Sequence, residues 1–171
     1  LARIDWRNAT LDGSDFRGAD LENSNLAGAS IAGANFAGAN LQLARLERSN
    51  LADAELGGAD LRWANLEYSS LVRARLSNAK LAKASLKYAD LSNAKLAGAD
   101  LTRADLEGAD LQQANLRSAR LDGAYANYAN LKQADLAGAS VQRTRWIGAR
   151  LLGVTWIDGR TCAAPSIGAC R

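Results

Sequence analysis

The sequence predicts an all-β solenoid wound as a four-sided tube. Three observations predict it: an apolar residue at every fifth position, exclusion of charge from those positions, and side-chain coincidences at a spacing of twenty. From Leu1 to Trp156 the five-residue step visits 32 positions, of which 24 are leucine. The others are Trp6, Phe16, Ile31, Phe36, Ala126, Val141, Trp146 and Trp156. Two residues earlier, from Ile4 to Val154, alanine holds 24 of 31 positions. The exceptions there are Ile4, Ser14, Ser24, Ser49, Ser69, Thr144 and Val154. All 21 basic and 18 acidic residues fall outside both sets, so two residues in five point inward and three outward.

A step of five argues against an α-helix, because it advances about 500° and scatters successive leucines around the cylinder. It does not match the two-residue alternation of an ordinary strand either. Repeats that bury apolar surface against neighbouring turns satisfy it. The size of the turn follows from residues that match or complement one another. At a spacing of twenty, Phe16 meets Phe36, Ser49 meets Ser69 and Tyr68 meets Tyr88. Asp60, Lys80, Asp100 and Arg120 form a column of alternating sign, and the underfilled site Ala126 falls beside Trp146. Four fives therefore make one turn. With about 4.8 Å between stacked backbones, the expected rod has about 7–8 turns and is roughly 37 Å long.

Each outward slot has its own chemistry. Asparagine and aspartate recur just before the leucine, where a short polar side chain bonds local backbone in an Asx turn. Glycine recurs two residues after the leucine, where a corner calls for unusual dihedrals. The alanine site sits against the wall and accepts serine but little that is larger.

Uninterrupted units of the form Ala-Asp-Leu-x-Gly and Ala-Asn-Leu-x-x, over about residues 4 to 157, resemble the pentapeptide-repeat family. The resemblance implies a right-handed quadrilateral parallel β-helix. The five-residue pattern sets a repeat domain over 1–157, and where it stops a short irregular C-terminal cap follows over 158–171. Some members of that family mimic duplex DNA and bind type II topoisomerases, which confers quinolone resistance.

The tail "VTWIDGRTCAAPSIGACR" holds both cysteines, Cys162 and Cys170, and also resembles the ends of some bacterial members. Asp158-Gly159 marks a turn and Pro165 ends regular structure. Trp156 and the tail are expected to cover the open end of the last turn. Two free thiols are one reading of the cysteines. A disulfide closing the cap is the other, and it is expected because both lie in the only irregular segment. It implies an extracytoplasmic setting: periplasmic, lumenal or secreted. The pair lacks zinc-site spacing, and no metal is expected.

No catalytic site is expected. Histidine is absent, and the acids Asp100, Asp105, Glu107 and Asp110 occupy outward slots on a convex rod, where enzymes use a concave pocket. No phosphate-binding fingerprint is present, and no cofactor is expected. The bases Arg73, Arg75, Lys80, Lys83, Lys87 and Lys95 fall on different sides as a belt, not the stripe a nucleic-acid binder needs. No apolar run approaches the roughly 20 residues that span a bilayer. The candidate interface is a corner array: Leu43 and Trp63 with Lys83 and Arg103 in one column, Tyr68 and Tyr88 in the next, and Tyr128 farther along. Exposed aromatics beside cations resemble interface anchors. The alternative is ladder packing that stiffens the wall.

The expected function is a noncatalytic scaffold or interaction module with a protein partner. A topoisomerase-binding DNA mimic is the alternative, disfavoured by a net charge of +3. The chain opens at Leu1 in phase with the repeat, as a mature or trimmed product would. The open turn Leu1 to Trp6 leaves two readings: missing upstream residues, or an end-to-end dimer.

Overall fold

In the computed structural model, which describes residues 1–164 and 166–170, the chain coils so that each residue before a central apolar position pairs in parallel with the one twenty further on. The pairings run unbroken from Asp5–Asn25 to Asp135–Thr155. Every predicted coincidence is in register. The Phe16 and Phe36 rings stack at 5.0 Å, and Asp60, Lys80, Asp100 and Arg120 bridge in one line. Pro165, read as a terminator of regular structure, lies outside the described residues.

Backbone bonding explains why five residues form one side. The central residue's amide donates to the coil above, as from Leu66 to the Ser85 carbonyl at 2.7 Å. The amide two residues on does the same, as from Tyr68 to Lys87 at 3.0 Å. The amide before the central residue donates to the coil below, as from Asn65 to Ala44 at 2.9 Å. A fourth bond closes the corner, with the Ser69 amide donating to the Leu66 carbonyl at 3.2 Å. That turn needs a left-handed residue two after the centre, and every such position from Arg3 to Gly153 has a positive φ.

One amide in each five remains, and the Asx residue takes it. The Glu67 amide donates to Asn65 Oδ1 at 3.0 Å, and the Gln112 amide to Asp110 Oδ1 at 2.9 Å. Where that slot holds no Asx residue, the coil below sometimes supplies one. Asp12 accepts from the Ala32 amide, Asp122 from Gln142 and Asn127 from Ile147, across twenty residues each time. At Asp15 the Arg17 side chain, then the Arg17 amide, hold the carboxyl down to about 2. The alternating column is only partly an ion-pair ladder. Asp60 pairs sideways with Arg62 at 2.6 Å, while Arg120 and Asp100 do meet across coils at 3.6 Å.

The interior is filled by the predicted leucines and alanines, fully buried through the middle of the rod. Ala126 is fully buried one coil from Trp146, whose indole meets Trp156 edge-on at 5.8 Å. After Thr155 the chain reverses. Two antiparallel pairings, Thr155–Thr161 and Arg150–Ile167, lay the tail across the last coil. Cys162 is buried and bonded to Cys170. No described helix is long and apolar enough to cross a membrane.

Three serines replace alanine in the buried wall, with different outcomes. Ser49 and Ser69 return their hydroxyls to the Leu46 and Leu66 carbonyls at 2.7 Å. The Ser24 hydroxyl is buried without a partner. Ser24→Ala is therefore expected to raise stability by about 1 kcal/mol, because it removes an unpaired hydroxyl and fits the wall. Ser49→Ala should give no such gain. Urea denaturation of both variants checks this, and a lowered midpoint for Ser24→Ala would contradict it.

Candidate interaction surface

The corners decide which large side chains the tube displays. A left-handed corner suits glycine, and a residue with a Cβ pays strain there. Several corners nonetheless carry large side chains: Leu43, Trp63, Tyr68, Tyr88 and Tyr128, with φ of 55 to 60°. Each is about half exposed or more, from 45% at Trp63 to 64% at Tyr128.

Contacts between coils offset the strain. Corner side chains lean toward the next coil, so each meets the residue twenty positions on. The Tyr68 and Tyr88 rings stack at 5.2 Å, with 14° between their planes. Arg48 lies 5.9 Å from the Tyr68 ring centre on the other side. Tyr88 then rests on Gly108, where an added Cβ would fall 2.6 Å from its ring. Tyr128 rests on Gly148 in the same way. Gly108 therefore ends the tyrosine ladder, and Tyr128 shares the column without joining the stack.

The second column is built around Trp63, flanked by Lys83 Nζ at 5.4 Å and Arg62 at 5.6 Å. Leu43 precedes it by one coil, its amide bonded to the Arg62 carbonyl at 3.1 Å. Arg103 follows Lys83, and its stem lies over Gly123.

These columns are adjacent corners, so they border one side of the tube. Between them lies a polar panel whose groups are held in place. Ser85 Oγ donates to Glu67 Oε1 at 2.8 Å, and Asn65 Nδ2 to Glu47 Oε1 at 3.0 Å. Lys87 sits 3.2 Å from Asp105 and 3.4 Å from Glu107. Hydrogen bonding to Asp105, then to Glu107, pushes its ammonium above the ordinary lysine value. The structure thus brings together Leu43, Trp63, Tyr68, Lys83, Tyr88 and Arg103 as two rails around a fixed polar strip.

Half of the basic belt is paired within the wall. Arg73 pairs with Asp53 at 2.6 Å, Arg75 with Glu55 at 3.3 Å, and Lys87 with its two acids. The acids considered for catalysis are likewise engaged: Asp100 and Asp110 accept the amides of Thr102 and Gln112, and Asp105 and Glu107 hold Lys87.

Residues 1–28, 29–67, 59–98 and 114–153 match the family described as pentapeptide repeats, in eight copies. The chain is a pentapeptide-repeat protein. Among solved structures it is similar to HetL, a pentapeptide repeat protein involved in heterocyst differentiation regulation from the cyanobacterium Nostoc sp. strain PCC 7120. That match has 34% identity over 94% of this chain and 78% of HetL, at a TM-score of 0.46. It is also similar to a trypsin-treated form of QnrB1, a plasmid-mediated fluoroquinolone resistance protein. There the identity is 22% over 88% of this chain and 79% of QnrB1, at a TM-score of 0.72, a likeness of fold. Comparison with curated proteins found no match.

Sequence reasoning missed Arg48 and the glycine shelves. Arg48 was legible as the residue twenty before Tyr68. The shelves were not, because nothing in the repeat says which way a corner side chain leans.

Gly108→Ala is expected to cost about 1–2 kcal/mol and to tilt the Tyr88 ring out of its stack. Gly58→Ala, at a similar φ but with no atom within 4 Å of the new Cβ, pays the backbone part alone. Thermal unfolding of both, with near-ultraviolet circular dichroism of the tyrosines, separates the two effects. Equal losses and unchanged spectra would show that the shelf has no role.

Proposed function

We propose that this pentapeptide-repeat protein is a noncatalytic interaction module that binds another protein. The contact side is the one bordered by Trp63 and Lys83 at one corner and Tyr68 and Tyr88 at the other. The observation that carries the reading is the placement of half-exposed Trp and Tyr at corners that favour glycine. Rigid, stacked aromatics offer contact area with little entropy left to lose, and neighbouring cations add attraction for acidic or aromatic groups. The polar strip between the rails is already hydrogen-bonded, so it presents a shaped surface in place of a reactive one.

The winding is taken as right-handed, as the family resemblance implies, in the roughly 7–8 turns that the twenty-residue spacing gives, with the tail as cap. The Cys162–Cys170 bond supports an extracytoplasmic site of action, where such bonds persist. A second copy meeting the first coil end to end is a further proposed contact. Leu1 is 60% exposed, and the amides of Asp5, Thr10 and Asp15 have no acceptor among the described residues. End-to-end pairing with a second copy would satisfy that edge.

The partner should be recovered by pull-down with the wild-type chain. Trp63→Ala with Tyr68→Ala is expected to reduce recovery at least about tenfold, as loss of two interface anchors does. Unchanged recovery with a folded double variant would remove this side from the account. Inhibition of DNA supercoiling by the purified chain would replace the proposal with the topoisomerase reading.

A further inference from the structure

The last coil breaks a rule that the rest of the rod obeys. The outward slot just after the central residue holds small or polar side chains along the tube, with Val72 the exception. On three successive sides of the final coil it turns aliphatic. Glu107 and Asn127 give way to Ile147, Gln112 and Lys132 to Leu152, and Ala137 to Ile157. All three are exposed, Ile147 at 65%, and the cap adds Ile167 at 65%. Only two other large aliphatic side chains are exposed among the described residues, Leu1 and Leu43.

Charge changes at the same place. Residues 140–171 contain five arginines and one aspartate, whereas residues 1–139 carry sixteen bases against seventeen acids. The whole surplus of positive charge is therefore at this end. Arg143, Arg145 and Arg150 are exposed and make no ion pair among the described residues, unlike many arginines of the shaft. Within the cap, residues 161–170 contain no charged residue, and Asp158 pairs with Arg160 at 3.2 Å. A hollow of about 230 Å³ lies between Leu152, Ala164 and Ile167, flanked by Lys132 and Arg150.

We propose that this end is a peripheral membrane-docking tip, which seats the rod end-on in the headgroup region of an anionic bilayer. A folded partner meets a patch that faces one way, but these aliphatic residues face three sides and the cap. A bilayer interface closes around all of them. The apolar band is one coil deep, about 4.8 Å, comparable to the roughly 5–10 Å that interfacial segments bury. Arg143 and Arg150 stand beside the band, where lipid phosphates would meet them, while Arg145 lies over the Tyr125 ring of the preceding coil at 4.8 Å. The indoles of Trp146 and Trp156, partly buried at this coil, suit the same depth.

The test is co-sedimentation of the full, disulfide-bonded chain with two kinds of vesicle: phosphatidylcholine alone, and phosphatidylcholine mixed with phosphatidylglycerol. Partition onto the anionic vesicles is expected to exceed the neutral case by about tenfold or more. Ile147→Asp with Ile167→Asp should abolish it, and Arg143→Glu with Arg150→Glu should remove the anionic preference. Trp63→Ala with Tyr68→Ala should leave it unchanged, so this inference and the protein-partner reading fail separately. Quenching of wild-type tryptophan emission by brominated lipid is the second measurement, and it requires no variant to fold. Absence of sedimentation and of quenching overturns the proposal. So does a dimer, seen by light scattering, that the Ile147 and Ile167 substitutions dissolve while neither vesicle binds.

Discussion

The structure depends on one constraint: the inward residue must recur every fifth position without slippage, so that four sides return the chain to register after twenty. Each side then completes its backbone bonds with the coil above and the coil below, as Leu66, Tyr68 and Asn65 do. A slip of one residue would turn leucine outward, put a polar side chain in the core and orphan those bonds at once. Alanine at the wall position supports the constraint, because its small side chain lets the backbone approach the buried leucine tiers closely. The fold tolerates very varied outward residues for this reason, since none of them takes part in setting the register.

Much of this was legible because register is a property of residue type at fixed spacing. The five-residue step marked the core, the glycines marked the corners, and the Phe16–Phe36 and Tyr68–Tyr88 matches gave the coil length. The cap followed from where the pattern stopped, and of the two readings left open for Cys162 and Cys170 the structure has the disulfide. What stayed hidden depends on direction along the axis. Asp12, Asp122 and Asn127 each serve an amide one coil away, a role set by how the side chains tilt. The same tilt lets Gly108 and Gly148 carry tyrosine rings. Asp60 was expected within an axial column and turned to Arg62 because the two share one side and a shorter reach.

Function in such a tube belongs to the surface, and the surface divides into regions with different physics. Along the shaft, acids and bases are nearly equal in number and many pair with one another, within a coil as at Asp60 and Arg62 or across coils as at Asp53 and Arg73, which leaves little net field. One side departs from this by holding stacked aromatics at strained corners. The C-terminal coil departs from it by exchanging charge balance for aliphatic residues and unpaired arginines. A rod that keeps its register rigidly can hold these two surfaces at a fixed distance and orientation.

Cross-linking tests the twenty-residue register most directly. Asn35 and Glu55 pair in parallel on adjacent coils, within the Cα separation of roughly 4.4–6.8 Å that a disulfide spans. Asn35→Cys with Glu55→Cys is expected to oxidise rapidly and quantitatively within one chain under native conditions. Asn35→Cys with Asn50→Cys, closer in sequence but on another side of the tube, should stay reduced. Oxidation of the second pair in preference to the first would contradict the four-sided coil.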